Sequence, residues 1–195
     1  MDLDTFDQLK RKYGQVGSWA MWSDCRKSRS DTSDVSFFDL PSKQFLATLH
    51  SDFVFVALNV SKPISKDRPF GNFHGGRNDY WLRDAISGTA LEGSYMTDII
   101  KLHPDSKSSS VIRHFRNNKK ELRIHFDSFL EEMSDVRLGR DSLLIALGND
   151  AFSLLSNIPL DNPIAKLRHY AFRHKKGEDK ASSYREEVLD LLSKR

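Results

Sequence analysis

The amino-acid sequence predicts an α/β fold of three layers, in which a central sheet of four parallel strands lies between helices. Two observations support this prediction. Four short segments are apolar throughout, which is typical of strands buried on both faces, and segments with helical spacing of apolar residues lie between them. Alternation of strands and helices is the pattern of a parallel sheet covered on both faces.

The chain is long enough for one domain with its own core. It has 195 residues, of which 38% are hydrophobic. We expect residues 1–195 to form a single domain, with N-terminal helices and a loop over 1–50, a core over 53–173 and a C-terminal helix over 180–195.

The N-terminal part is predicted to contain two helices and a long ordered loop. Apolar residues recur at helical spacing over residues 3–13, and Gly14 follows them, as it often does at a helix end. Residues 14–40 show no steady period, and their aromatic side chains are expected to pack on the domain. Ser42 is expected to cap a short helix that leads into the first strand.

The rest of the chain is predicted to alternate between strands and helices. Strands are expected over residues 53–58, 95–100, 143–147 and 164–170. Helices are expected over residues 78–86, 111–133 and 151–155. Ser183 and Glu186 have capping-box spacing ahead of a final helix.

Composition narrows the classes of function. The net charge of +3 does not by itself indicate a nucleic-acid binder, although residues 101–123 and 166–176 are locally basic. No apolar run is long enough to span a membrane, and no secretory signal is recognised, so a cytoplasmic protein is expected. The single cysteine, Cys25, cannot form an internal disulfide and is interpreted as structurally incidental.

Polar residues follow each of the four predicted strands. In parallel sheets, ligands bind outside the carboxyl ends of the strands, where the strand order switches. The residues expected at this edge are Asn59, Asp98, the Gly148-Asn149-Asp150 run and the Arg168-His169-Tyr170 run. This locates a candidate site without naming its chemistry.

The segment after the first predicted strand carries the most specific pattern. Asn59 ends the strand, a long loop leads to Phe73, and the run Asn78-Asp79-Tyr80-Trp81 opens a helix. In this order and spacing the chain resembles the uracil-DNA glycosylase superfamily, particularly its mismatch-specific and single-strand-selective branches. The resemblance extends over about residues 53–173, with GSYMTDIIKL at the second strand, LLIALGNDAF at the third and LRHYAFR where the family has its histidine motif.

The chain also departs from the family pattern at three places. Val60 and Ser61 replace the residues that usually follow the catalytic position, and the run Tyr170-Ala171 replaces Pro-Ser after the histidine. Asp98 stands where several branches have the asparagine that reads uracil.

The resemblance implies a base-excision repair glycosylase that acts on a flipped damaged or deaminated base without a cofactor. Asn59 would hold a water below C1′, and His169 would donate a hydrogen bond to the base carbonyl O2. Phe73 would stack on the base, with His74 and Tyr80 lining the same pocket. The reaction would leave negative charge on the departing base, which a positioned donor stabilises.

Asp98 leaves more than one base preference open. An ionised carboxylate can only accept hydrogen bonds, whereas the asparagine amide both accepts and donates. Asp98 could therefore select another base, such as a deaminated purine or a cytosine-like edge. It could also be protonated in the pocket, or serve only as a structural cap.

The resemblance further implies single- or double-stranded DNA as the partner, no membrane and a monomeric protein. Residues that follow the fourth strand would contact the DNA, with an apolar plug beside cations that bind phosphates. They are Arg168, Phe172, Arg173, Lys175 and Lys176.

Other functions stay open. The chain could be a glycosylase-fold protein that binds nucleic acid, a nucleotide or a protein without excising a base, or a small-molecule hydrolase on a generic parallel sheet. His103, His114 and His125 show no metal-ligand spacing with carboxylates or cysteines in the sequence, so no metal is predicted.

Overall fold

The computed structural model describes residues 1–24, 27–101, 103–172 and 179–194. In these ranges the chain forms an α/β fold of seven α-helices and five strands. The helices are α1 (Leu3–Tyr13), α2 (Lys43–Thr48), α3 (Asp79–Ile86), α4 (Ser108–Asn117), α5 (Lys119–Asp135), α6 (Asn149–Leu155) and α7 (Lys180–Ser193). The strands are β1 (Ser18–Trp19), β2 (His50–Asn59), β3 (Ser94–Ile100), β4 (Leu143–Leu147) and β5 (Ile164–Leu167).

The sheet is mixed and has five strands in the order β1-β3-β2-β4-β5. Strands β3, β2, β4 and β5 are parallel, whereas β1 pairs antiparallel with β3 at the edge. The prediction of a sheet with four parallel strands alone was therefore wrong. The added strand has only two residues, which is too short to show a period in the sequence.

Helices pack on both faces of the sheet, which is compatible with the predicted three-layer arrangement. Because side chains alternate along a strand, Val54 and Val56 of β2 face one apolar cluster that includes α1, α2, α4, α5 and α6. Phe55 and Ala57 face a second cluster, formed with α3 and α7. Trp19 and Phe38 of the N-terminal segment are fully buried, as predicted for its aromatic residues.

Two elements and one helix cap differ clearly from the predictions. The predicted helix over 111–133 is two helices, because Asn118 leaves the helical conformation (φ −119°, ψ 61°). Strand β5 ends at Leu167, so residues 168–170 lie beyond the sheet. Helix α7 begins at Lys180, as expected, but its cap is Asp179 rather than Ser183: the Asp179 side chain accepts from the Ala181 amide at 3.0 Å.

The strand order creates a switch point between β2 and β4. These strands are neighbours in the sheet, although β3 lies between them in the sequence. In the sheet, β3 pairs with the other edge of β2. The connections from β2 and β4 therefore leave in opposite directions, and in parallel sheets ligands bind at the carboxyl ends of such strands. This is the edge on which the sequence places its candidate residues.

No helix among the residues that the structure describes has the length and apolar composition needed to cross a lipid bilayer.

A buried ion pair joins β3 to α5. Glu132 of α5 is completely buried and pairs with Lys101, which directly follows β3. Its other oxygen accepts hydrogen bonds from the Tyr95 hydroxyl and the Thr97 hydroxyl, both at 2.8 Å. The Lys101 ammonium also donates to the carbonyl of Asp98 at 2.7 Å. The charges are thus paired and hydrogen-bonded, as buried charges need to be.

We expect Glu132→Gln to lower the free energy of unfolding by about 3–5 kcal/mol, because it leaves the buried Lys101 ammonium without its counter-charge. Urea denaturation followed by circular dichroism would measure this loss. The matched control is Glu131→Gln, since Glu131 pairs with Lys12 on the surface at 2.6 Å and its side chain is 62% exposed. The control should cost less than about 1 kcal/mol, and equal losses in both variants would contradict a special role of the buried pair.

Candidate functional site

Asp98 lies near the carboxyl edge of the sheet, on the face covered by α3 and α7. It is 2% exposed, and its Oδ2 accepts a hydrogen bond from the Asn72 amide at 2.7 Å. Burial raises the pKa of Asp98 to about 7, against the lowering effects of the Asn72 hydrogen bond and the nearby Lys101 ammonium. Near neutral pH this carboxyl therefore exists in both protonated and ionised forms.

Phe73 lies on the loop that Asn72 holds in place. The same Asn72 amide donates to the Val16 carbonyl at 2.8 Å, and its Oδ1 accepts from the Phe73 amide at 3.2 Å. Phe73 has a left-handed backbone conformation (φ 64°), as does Phe70 (φ 61°). Bulky residues rarely adopt this conformation, so the surrounding contacts must hold the loop in it.

His169 follows β5, and a turn fixes its ring. The Ala171 amide donates to Nδ1 of His169 at 3.1 Å, which leaves Nε2 as the nitrogen that carries the proton in the neutral ring. Burial, with a smaller effect of the Lys180 ammonium, lowers the pKa of His169 to about 4. At neutral pH the ring is therefore an uncharged hydrogen-bond donor through Nε2.

Tyr170 connects these groups. Its ring stacks on that of His169, with centroids 4.5 Å apart, and belongs to the same apolar cluster as Phe73. Its hydroxyl contacts the buried carboxyl of Asp79, and it lies close enough to Asp98 for that charge to raise the pKa of Tyr170 further. Tyr170 thus links its chain neighbour His169 to Asp79 and to the charge of Asp98, and it shares an apolar cluster with Phe73.

Asp79 is a second buried carboxyl in this group, at the start of α3. Its Oδ2 accepts from the Gly76 amide at 2.7 Å. Burial raises the pKa of Asp79 to about 6, although the Gly76 and Tyr170 hydrogen bonds act in the opposite direction. The residue was not singled out in the sequence, because its place in the Asn78-Asp79-Tyr80-Trp81 run does not show which side chain faces inward.

The group is closed in this structure. Phe73 is 9% exposed, Tyr170 7% and Asp98 2%, so a nucleobase could reach them only after the covering groups move. A cavity of about 300 Å³ lies instead at the opposite edge of the sheet, between Leu143, Pro163 and Leu191 of α7.

Asn59 lies at the same edge of the sheet but uses its amide elsewhere. It ends β2 as predicted and is half-buried. Its Nδ2 donates to the carbonyls of Asp105 at 2.8 Å and of His103 at 3.3 Å. Among the described residues, no hydrogen bond joins Asn59 to Phe73, Asp98 or His169. Its structural role is to hold the loop that follows β3.

Two further residues predicted to line the base pocket make contacts with other parts of the chain. His74 faces the N-terminal segment, where its Nε2 lies 2.9 Å from the Ser18 hydroxyl and its ring lies 5.7 Å from that of Phe38. Tyr80 packs on Trp81, the next residue of α3, with ring centroids 4.5 Å apart.

The residues predicted to contact DNA are only partly described. Arg168 pairs with Glu187 of α7 and lies 4.2 Å from the ring centroid of Phe172. Phe172 also packs on Tyr184, at 5.9 Å between centroids. Both side chains thus take part in packing between the end of β5 and α7. Arg173, Lys175 and Lys176 lie outside the described residues, as does Cys25.

The structure also brings together three residues that could hold a metal ion. His103, His114 and Glu121 each offer a ligand atom, and these atoms lie within 4.8 Å of one another. The sequence shows no metal-ligand spacing for these histidines because His103 comes from a different segment, so the expectation of no metal stays a prediction. The seven-residue separation of His114 and Glu121, two turns of one predicted helix, was the available signal.

Comparison of the chain with protein-family models and with curated proteins finds no match. The functional interpretation therefore depends on the fold and on the geometry of this site.

We expect the change in the free energy of unfolding caused by Asp98→Asn to be more favourable at pH 8 than at pH 4, by roughly 2–4 kcal/mol. Because the pKa of Asp98 is raised in the folded chain, folding favours the neutral carboxyl. The stability that this preference contributes is present below about pH 4 and is lost as the pH rises to about 7. Asparagine keeps the acceptor for Asn72 and carries no charge. Urea denaturation at several pH values would measure the difference.

The control for this experiment is Asp161→Asn at an exposed position. It should change stability equally at all pH values. A pH-independent effect of Asp98→Asn would contradict a buried carboxyl that titrates near neutrality.

Proposed function

We propose that this chain is a DNA glycosylase of the uracil-DNA glycosylase type, which excises a deaminated base. The observation that carries the proposal is the state of His169 at the carboxyl edge of the sheet. The Ala171 amide occupies Nδ1, and burial keeps the ring neutral, so Nε2 is a fixed donor. Cleavage of the N-glycosidic bond leaves its electron pair on the base, and a fixed donor stabilises that anion.

The sugar side of the reaction needs a positioned water rather than a strong base. Loss of the base leaves cationic character at C1′. The water oxygen adds there and the water releases a proton, which the departing base anion can accept. Asn59 has no useful basicity, but its Oδ1 can accept from such a water. The hydrogen bonds of Nδ2 to the Asp105 and His103 carbonyls fix the orientation of the amide, and therefore of Oδ1.

Asp98 gives a physical basis for selecting a deaminated base. Deamination replaces an exocyclic amino group, which donates, with a carbonyl, which accepts. Because burial raises the pKa of Asp98 to about 7, its protonated form is available to donate to that carbonyl. Oδ2 accepts from Asn72, so Oδ1 is the oxygen that would face the base. A protonated Asp98 thus supports uracil, hypoxanthine or xanthine over their parent bases.

A second candidate function is DNA or nucleotide binding without excision. The burial of Phe73 and Asp98 favours it, because the base site is closed in this structure. The hydrogen bonds of Asn59 to the loop after β3 favour it as well, since they are a sufficient structural reason for an asparagine there.

We expect the protein to produce alkali-labile abasic sites in labelled oligonucleotides that contain uracil, hypoxanthine or xanthine, with a G·T mismatch tested alongside. His169→Ala should lower the single-turnover rate by about 10²–10³-fold, because it removes one donor to the departing base. DNA affinity, measured by fluorescence anisotropy, should change little. The control is His50→Gln, since His50 lies at the opposite end of β2.

Two outcomes would decide against excision by this site. Salt-sensitive binding of the oligonucleotides without abasic product would support the second candidate function. Equal losses of rate and affinity in His169→Ala would indicate a structural role for the ring.

The rate on uracil should also fall as the pH rises above about 7, by about tenfold per pH unit when one proton is required. The reason is that ionised Asp98 loses its donor. Asp98→Asn should remove this decline, whereas Asp161→Asn should keep it. A decline that persists unchanged in Asp98→Asn would show that another group is responsible.

A further inference from the structure

We propose that His103, His114 and Glu121 form a binding site for a divalent transition metal ion, with zinc as the ion that their chemistry favours. One ligand atom from each residue lies within 4.8 Å of the other two. Four ligands around zinc at about 2.0–2.1 Å lie closer than this to one another, so only small side-chain rotations are needed to close the site.

The three ligands come from three segments whose backbones are held in place. His103 lies on the loop after β3, where its carbonyl accepts from the Asn59 amide at 3.3 Å. His114 lies on α4 and Glu121 in the first turn of α5. At the break between these helices, the Asn118 amide donates to the His114 carbonyl at 2.8 Å. The break turns α5 so that Glu121 faces His114.

The side chains already contact one another. Nε2 of His114 lies 2.8 Å from Oε2 of Glu121, and the rings of His103 and His114 stack with centroids 4.4 Å apart. A metal ion would take the place of the proton shared between His114 and Glu121. His125 lies behind this group on α5, one turn after Glu121, and contacts Phe115 at 5.2 Å between ring centroids.

The donor set selects the ion. Two imidazole nitrogens and one carboxylate oxygen suit zinc and other first-row transition metals, whereas Mg²⁺ and Ca²⁺ prefer oxygen ligands alone. The side chains of His114 and Glu121 are 34% and 44% exposed, so water can reach the ion. Three protein ligands with water in the fourth position is the arrangement of zinc sites that keep an open coordination position.

The test uses the full chain, freed of any affinity tag and dialysed against EDTA. Titration with ZnCl₂ in a calorimeter should show one ion bound per chain, and Co²⁺ should give the visible absorption bands of a four-coordinate site. His103→Gln and His114→Gln should each weaken zinc binding by at least about 100-fold, because even loss of a residue that only supports a ligand costs 10–100-fold. Glu121→Gln should weaken binding and alter the Co²⁺ spectrum.

The matched control is His50→Gln. His50 also has a carboxylate nearby, with its Nδ1 3.9 Å from Oδ2 of Asp52, but it belongs to no group of three possible ligands among the described residues. This variant should bind zinc as the wild-type chain does. Absence of saturable zinc binding, or equal weakening in His50→Gln and His114→Gln, would overturn the proposal. These results are separate from the proposed base excision, which uses Asn59, Phe73, Asp98 and His169. Asn59 contacts only the backbone carbonyl of His103, which His103→Gln leaves in place.

Discussion

The hydrogen bonds of Asn72 are the constraint on which the candidate site depends. Its amide donates to the Val16 carbonyl and to Asp98, and its oxygen accepts from the Phe73 amide. One buried side chain thus joins the N-terminal segment, the loop before α3 and the central part of the sheet. A buried donor without a partner costs about 1–3 kcal/mol. Keeping the hydrogen bonds of Asn72 therefore favours one relative arrangement of these three segments, and that arrangement positions Phe73.

Thr97 and Asp98, which are consecutive in β3, lie on opposite faces of the sheet, and the ionisable groups on those faces differ in charge state. Thr97 points to α5, where Lys101 and Glu132 form a charged pair. Asp98 points to the other face, where burial raises the pKa of a carboxyl and, across the site, lowers that of His169. Both shifts favour uncharged forms. The candidate site is therefore built from ionisable groups that can be neutral together at slightly acidic pH, where they act as hydrogen-bond donors.

The sequence predicts most of the architecture because apolar runs and helical spacing are local signals. It places Asn59, Asp98 and His169 near the carboxyl edge, since parallel strands share that edge. It misses β1, whose two residues carry no period, and the break at Asn118, where a tertiary turn interrupts a continuous helical pattern. Asn72 and Asp79 were missed as members of the site, and Tyr170 was noted only as part of the run after the fourth strand, because contacts with distant segments alone reveal their roles.

The left-handed backbone of Phe70 and Phe73 has an energetic consequence for access to the site. Each such residue costs about 1–2 kcal/mol relative to an ordinary conformation, and both belong to the loop that covers Asp98. A rearrangement that lets these two backbones relax recovers that energy. The energy recovered when this loop opens would offset part of the cost of admitting a base under the proposed function.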